Sequence, residues 1–593
     1  MSGSLAPPIR IPALPVELEV AILQHFVPTG PVTTRDSVGE HPQLTLPFRE
    51  FGPGMAQICQ TNYRFAKIAT PFLYRVVVLK DMTQLLCFFR TLATVPPLRN
   101  LVRTVIWAGV MAPPSSTPTQ TQTPSQDTSP NSLMALVGDT WLSPLICTTF
   151  ESSTQTHWPP TDKLGQLVTR KLELTKPAHF CSGHILGAVL ALCPNLAALF
   201  TVLGQTDRMV MSPKGRVLRR CPEFPGLVQI PEWDLFQYLD APVHGNTSVP
   251  YPLACQFLLS SSHPSNLRSI TIEPHSDRNA EMYWAAFALE PLLRSCPLIK
   301  NIEIKGGMSW RELRPRGWGD HRQQQPSVLG RAVRQLVLTR ATRPEDNMAT
   351  VADMFPGLRA LYAEFVETGA GTSFRAPAAG FQAALAGLRG TLEVLHLTSA
   401  PGETWRFLGV PSLLCPVLGQ MGGLKHLVAD AVWLFGRQMA MDGVAAVDGG
   451  LLLLPPSLVS LHVIDFWGVA AMGGGREGGG MAEEATAMAM AIARAAGAAY
   501  YPVFPGQTSP LEFMARWLGD LLVGCETHLT VLKAVRVTSP LFAGLRQTET
   551  ISSVDVQMHV KHFKEAFGRV GVEFSVSDER AEHGQWEWSS IAY

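Results

Sequence analysis

A single pattern recurs along the chain: an apolar residue, two variable residues, an apolar residue, one variable residue and a third apolar residue. It stands at Leu267/Ile270/Ile272, Ile299/Ile302/Ile304, Val333/Leu336/Leu338, Leu358/Leu361/Ala363, Leu392/Leu395/Leu397, Leu424/Leu427/Ala429 and Leu458/Leu461/Val463, with first positions 32, 34, 25, 34, 32 and 34 residues apart. A near-fixed period of this size predicts units that cannot bury their apolar faces alone and do so by stacking. Within each copy the apolar residues two apart share one face of a short strand, and the residues between them face the other way. A helix-like stretch ending in Pro or Gly precedes most copies; residues 283–296 place Trp284, Phe287, Ala288 and Leu292 at helical spacing, with Pro291 expected to kink or split that helix. The expected architecture is α/β: a solenoid of parallel strands lining the inside of an arc with helices outside. Weaker copies at Val102/Val105/Trp107, Leu196/Leu199/Thr201 and Leu532/Val535/Val537 extend the array, and the alternative is a non-repetitive α/β protein with several parallel strands.

Composition agrees with a large packed core. Hydrophobic residues form 46% and charged residues 16% of the 593, against about 25% charged in an average soluble chain. Basic and acidic residues both number 48, so the formal charge is zero and nothing in the balance favours nucleic acid or an anionic membrane. The 10 cysteines are scattered at long intervals, unlike a disulfide framework or a zinc module, and predict reduced thiols and a cytoplasmic or nuclear protein. The amino-terminal stretch lacks the basic-then-apolar order of a secretory signal, and no segment offers about 20 unbroken apolar residues for a membrane span.

The expected organisation is a helical module at 11–79 with an insertion at 27–54, a connecting helix and first strand of the array at 80–110, and a Pro/Ser/Thr/Gln-rich linker at 111–132. The repeat array then runs over 133–577, with loops near 205–233, 306–327 and 473–499, and a tail at 578–593. In the amino-terminal module, Leu14-Pro15 opens an amphipathic helix through Leu18, Ile22, Leu23 and Phe26. Met55, Ile58, Cys59, Asn62, Phe65, Ala66 and Ala69 trace a second helix expected to stop before Pro71, and Leu85, Leu86, Phe89 and Leu92 a third over 82–94.

LPVELEVAIL and, later, ICQTNYRFAKIATPFLYR resemble the F-box, through Leu14, Pro15, Glu17, Leu18, Ile22, Leu23, Cys59, Arg64, Leu73 and Tyr74. The insertion at 27–54 departs from that family. LLRSCPLIKNIEI and LALCPNLAALFTV are similar to leucine-rich repeats in their longer, irregular form, so the chain as a whole resembles fungal F-box-like proteins with a leucine-rich-repeat-like domain. The resemblance implies the substrate-recognition subunit of an SCF-type cullin-RING ubiquitin ligase. Its F-box would dock on a Skp-type adaptor through Leu14, Pro15, Glu17, Leu18, Ile22, Leu23, Ile58, Cys59, Leu73 and Tyr74, and its array would hold a target protein. The alternative is a non-catalytic scaffold whose amino-terminal helices only cap the solenoid.

No catalytic constellation emerges, and no cofactor or metal site is expected. GGGREGGG at 473–480 lacks the Lys-Ser/Thr and preceding strand of a phosphate loop, and Cys525/His528 and His559/His562 lack the second pair that zinc needs. The variable strand residues instead offer a mixed polar face for polypeptide recognition, with Glu303, Lys305, Tyr362, Glu364, His396, His426, Asp430 and His462 as candidate target contacts.

Overall fold

The computed structural model describes residues 14–28, 32–34, 43–80, 82–108, 186, 189, 190, 192–203, 208–211, 217–220, 227–229, 266–274, 293, 296–305, 330–341, 348, 351–365, 378–399, 414–435, 454–464, 510–538 and 553–577. The helix expected at 283–296, the linker at 111–132, the loop at 306–327, the segment at 473–499 and the tail at 578–593 lie outside or almost wholly outside these residues. Among the described residues no helix is long and apolar enough to cross a membrane. The chain divides into two compact units, Met1–Asp207 with Arg220–Leu227 and Tyr251–Arg278, and Arg208–Arg219 with Val228–Pro250 and Asn279–Tyr593.

The first unit begins with α1 (Val16–His25), a two-residue antiparallel ribbon β1 (Thr33–Thr34) and β2 (Gln43–Leu44), α2 (Leu46–Thr61) and α3 (Tyr63–Arg75). β3 (Val76–Leu79), α4 (Met82–Thr94), α5 (Pro96–Arg99), β4 (Thr104–Trp107), β5 (Ala198–Leu203) and, after a gap, the strand Ser269–Pro274 follow. Parallel pairing joins β3 to β4, β4 to β5 and β5 to Ser269–Pro274. The expected 82–94 helix is present and buries Leu85, Phe89 and Leu92. Two helix boundaries differ from expectation. The second helix begins at Leu46, because Phe48, Phe51 and Met55 at helical spacing are drawn into the core. Pro47 falls in its first turn, where the missing N–H has no role, and Pro53 sits on the exposed side. The helix then breaks at Asn62, whose extended backbone and side chain, accepting the Phe65 N–H at 2.9 Å, start α3 afresh. Pro71 does not end α3; it lies inside it, also exposed.

These helices do not form a detached module. Leu23, Phe48, Phe51, Met55, Ala69 and Phe72 share one core with Val76 of β3, Ile106 of β4 and Phe200 of β5. The outward residues of the first strands are thus covered by the amino-terminal helices, and the boundary read at 79 cuts through packed side chains.

The stretch expected as a loop at 205–233 contains three short strands, β6 (Arg208–Met211), β7 (Val217–Arg220) and β8 (Leu227–Gln229), in a small sheet of their own. With Ser269–Pro274 as β9, the second unit carries β10 (Asn301–Lys305), β11 (Gln335–Ala341), β12 (Ala360–Phe365), β13 (Val394–Ser399), β14 (His426–Asp430), β15 (Ser460–Ile464), β16 (Ala534–Thr538) and β17 (Glu573–Ser577), each parallel to the next. Parallel neighbours with helical returns place the protein in the α/β class and agree with a solenoid.

Every apolar position of the repeated pattern in this unit is at most 4% exposed, from Ile299 to Val537. A second recurrence lies in the backbone just ahead of each strand. There one carbonyl accepts two N–H groups of the following repeat: Lys300 O from Arg334 (2.7 Å) and Gln335 (3.0 Å), Arg359 O from Glu393 (2.7 Å) and Val394 (2.9 Å), Lys425 O from Val459 (2.7 Å) and Ser460 (3.0 Å). Stacking is therefore fixed by the main chain as well as by the apolar seam. Gly330 marks a close approach: a Cβ there would run into the Met354 carbonyl.

Helices α6 (Ala378–Gly387), α7 (Cys415–Leu418) and α8 (Ala431–Phe435) lie along this sheet. Trp433 of α8 stacks on Phe381 of α6 at 5.9 Å and meets Phe365 of β12 at 5.3 Å, all buried. α9 (Pro510–Thr527) and α10 (Ser553–Arg569) complete the unit. Phe567 of α10 stacks on Phe574 of β17 at 5.2 Å, covering the last strand.

Candidate functional site

α1 is apolar on two sides. Leu23 points inward at 4% exposure, whereas Leu14, Val16, Leu18, Ile22 and Phe26 are between 47% and 59% exposed. Leu18, Ile22 and Phe26 follow one another at i, i+4 spacing and make a stripe along one helix face, with Leu14 exposed just ahead of the Pro15 cap. Leu46 at the start of α2 and Tyr63 at the start of α3 are also exposed, at 60% and 85%, whereas Val95, Leu298, Val523, Val531 and Met558 are single exposed residues on other elements. A contiguous exposed apolar stripe is one of the surface features that mark interaction sites.

The helix is held from beneath. Pro15 begins it, its carbonyl accepting the Leu18 and Glu19 N–H groups at 3.1 and 3.2 Å. Glu19 is 6% exposed, and both its oxygens meet the Arg64 guanidinium of α3 at 3.1 Å. Nη2, the Arg64 nitrogen that meets Glu19 Oε1, also donates to the Leu14 carbonyl. This two-pronged contact satisfies a buried carboxylate and fixes α1 against α3.

Of the ten residues expected at the adaptor contact, Leu14, Pro15, Glu17, Leu18 and Ile22 are exposed. Leu23 does not: it lies in the core with Phe48 and Phe72, so its part is to anchor the helix. Ile58, Cys59 and Leu73 are half-buried against the same core. Cys59 Sγ lies 4.0 Å from Thr70 Oγ1, and Tyr74 stacks on Phe88 at 6.5 Å, its hydroxyl pKa raised by burial and secondarily by Cys59. Sequence reasoning assigned no site role to Val16, Phe26 or Glu19. The acid that matters structurally is Glu19, at the i+4 position from Pro15, and only the fold brings Arg64 to it.

The outward face of β10–β15 carries the second set. Glu303 and Lys305 pair at 3.8 Å along β10. Tyr362 and His396 stand directly opposite each other and meet edge-on at 5.9 Å, with Glu364 two residues further along β12. His426 Nδ1 is 2.8 Å from Ser460 Oγ across the next pair. Burial lowers the pKa of His426, assisted by the Lys425 ammonium and opposed by Glu393, which keeps the ring neutral at pH 7. Asp430 and His462 are corrections: they are 1% and 6% exposed and turned to internal partners. Asp430 accepts the Ser399 N–H at the end of β13, and His462 Nε2 lies 2.8 Å from Thr538 Oγ1. The first turn of α8 follows Asp430 directly, so this end of the strands is enclosed. His396 and His462 are separated by Val428 of the intervening strand, and the His462 ring is turned to Thr538. Among the described residues no group of three or more His, Cys, Asp or Glu side chains is placed to hold one.

Cys193 and Cys296 are buried free thiols whose pKa values burial pushes up to about 12 from 9.0. Because the folded value exceeds the unfolded one, their stabilising contribution is complete below pH 9 and is lost as pH rises from there toward 12. Both sites are expected to stay unmodified by iodoacetamide at pH 8, while exposed Cys87 is alkylated within minutes, as mapped by mass spectrometry. Modification of Cys193 or Cys296 at the rate of Cys87 under native conditions contradicts their burial.

No family model matches the chain, and no curated protein matches it significantly.

Proposed function

We propose that the protein is a non-catalytic adaptor with two docking surfaces: the substrate-recognition subunit of an SCF-type cullin-RING ubiquitin ligase. The α1 stripe binds a Skp-type adaptor, and the outward face of the parallel array binds a target protein in the cytoplasm or nucleus. The observation that carries this reading is the concentration of exposed Leu14, Val16, Leu18, Ile22 and Phe26 on one helix that the Glu19–Arg64 contact holds rigid. A preformed apolar helix face binds with little ordering cost. Together with the resemblance of LPVELEVAIL to the F-box, it supports adaptor docking. Tyr362, His396, Glu303, Lys305, Glu364 and His426 supply the mixture of an aromatic anchor and polar groups typical of polypeptide recognition. The protein contributes proximity and orientation; ubiquitin transfer belongs to its partners.

The shared core of the amino-terminal helices with β3–β5 also favours a capping role, so one element serves as end-cap inside and docking surface outside. The test is affinity capture of the full chain from cell extract followed by identification of bound proteins. Recovery of a Skp-type adaptor and a cullin is expected; a preparation that captures neither, with purified adaptor also failing to bind, sinks the ligase reading and leaves the scaffold.

A further inference from the structure

A row of cations runs across the second unit just ahead of its strands. By register, the residues preceding β10 to β16 are Lys300, Arg334, Arg359, Glu393, Lys425, Val459 and Lys533, each one strand from the next. All five basic members are exposed. The fold does not require their charge at this position. What the backbone needs there is a carbonyl, and Val459 provides it as well as the cations do, accepting the Lys533 and Ala534 N–H groups at 2.8 and 3.3 Å. In the first unit Ala197 does the same for Arg268 and Ser269, at 2.8 and 3.1 Å.

Internal partners neutralise only part of the row. Glu393, its one acid, bonds Lys425 at 2.7 Å and lies 3.6 Å from Arg359; the Lys425 bond holds its carboxyl below the ordinary carboxylate range. Arg334 gives one nitrogen to the Gly357 carbonyl at 2.6 Å and keeps its remaining donors. Lys300 and Lys533 have no side-chain ion pair among the described residues. Like charges lined up on neighbouring strands disfavour the fold unless something covers them.

The spacing indicates what covers them. Lys300, Arg359, Lys425 and Lys533 occupy every second strand, about 10 Å apart at about 4.8 Å per strand. A polypeptide in the extended polyproline II conformation has three residues per turn and rises about 3.1 Å per residue, so every third side chain faces the same side at about this period. A nucleic acid backbone fits less well, because its unbroken anionic charge meets Glu393 in mid-row and the chain as a whole carries no excess of cations. Resting on the reading of the array as the target-holding surface, we propose that this row docks an extended acidic segment of the target, with carboxylate or phosphorylated side chains at every third residue.

The test uses the full chain and fluorescein-labelled peptides in fluorescence anisotropy. One peptide has four glutamates separated by Gly-Ser pairs, a second has the same composition with the glutamates contiguous, and oligothymidylate serves as the nucleic acid probe. The spaced peptide is expected to bind in a salt-sensitive way and more tightly than either other probe. Lys300→Ser with Lys533→Ser weakens it about tenfold, and Glu393→Gln tightens it about twofold. Equal affinity for spaced and contiguous peptides, tighter binding of oligothymidylate, no binding of the spaced peptide, or wild-type affinity in the double serine variant overturns the proposal. Melting temperature controls for folding, and among the described residues neither lysine side chain makes an ion pair that serine would remove. Adaptor capture by the same variants stays at the wild-type level. Its absence from the wild-type protein counts against the ligase reading, whereas spaced-peptide binding upholds this one independently.

Discussion

Leu18→Asp combined with Ile22→Asp in the full chain is expected to abolish capture of a Skp-type adaptor, with affinity reduced at least about a hundredfold, while the melting temperature moves by no more than about 2 °C. The asymmetry follows from where the two side chains stand. Leu18 is 51% and Ile22 47% exposed, so neither carboxylate disturbs the core of the free protein. In an interface that covers the stripe, each would be an unpaired charge removed from water, which costs several kcal/mol. Leu23→Asp gives the opposite signature. At 4% exposure among Phe48, Phe51 and Phe72, a charge there unfolds the first unit and loses adaptor binding only as a consequence. Undiminished capture by the folded double variant refutes the stripe as the adaptor surface.

Removal of residues 1–54 is expected to leave a protein that aggregates. The truncation takes Leu23, Phe48 and Phe51 from the core they share with Ile106 and Phe200. Each such side chain contributes about 1.5–3 kcal/mol by burial. The loss is comparable with the whole stability of an ordinary domain, and it bares the outward face of β4 and β5 as an apolar patch. Size-exclusion chromatography and calorimetry of the truncated chain provide the measurement. A monodisperse product retaining the wild-type melting profile shows that the helices and strands do not depend on each other. The deletion does not separate an end-cap from a docking module, because the same helices fill both positions. The outward-facing substitutions do separate them, since they touch one surface and spare the other.

The array was legible because its signal is periodic and physical. Ile302/Ile304, Leu336/Leu338 and Leu395/Leu397 alternate inward along their strands as the spacing requires, and even the weaker copy at Leu532/Val535/Val537 forms a strand. Two strands escaped the pattern for local reasons. β3 takes its first pattern position from Tyr74, which reads as the end of a helix. β17 has Gly571, with φ +75°, where the repeats of β4, β5 and β9–β16 have an aliphatic residue. The helix boundaries near Pro53 and Pro71 were misjudged because proline's local penalty was outweighed by burial of Phe48, Phe51, Met55, Ala69 and Phe72.

For the docking surfaces the division runs along the same line. Apolar spacing alone determined that this chain stacks parallel strands behind a buried seam and begins with an amphipathic helix, because periodicity in sequence becomes periodicity on a face. Which side of that helix is free, that Glu19 rather than Glu17 holds it, and that Asp430 and His462 are buried were decided only by packing. Those outcomes depend on partners distant in sequence: Arg64, Ser399 and Thr538. The cation row belongs to the same class: Lys300, Arg334 and Arg359 are scattered in the chain and become neighbours only when the strands align.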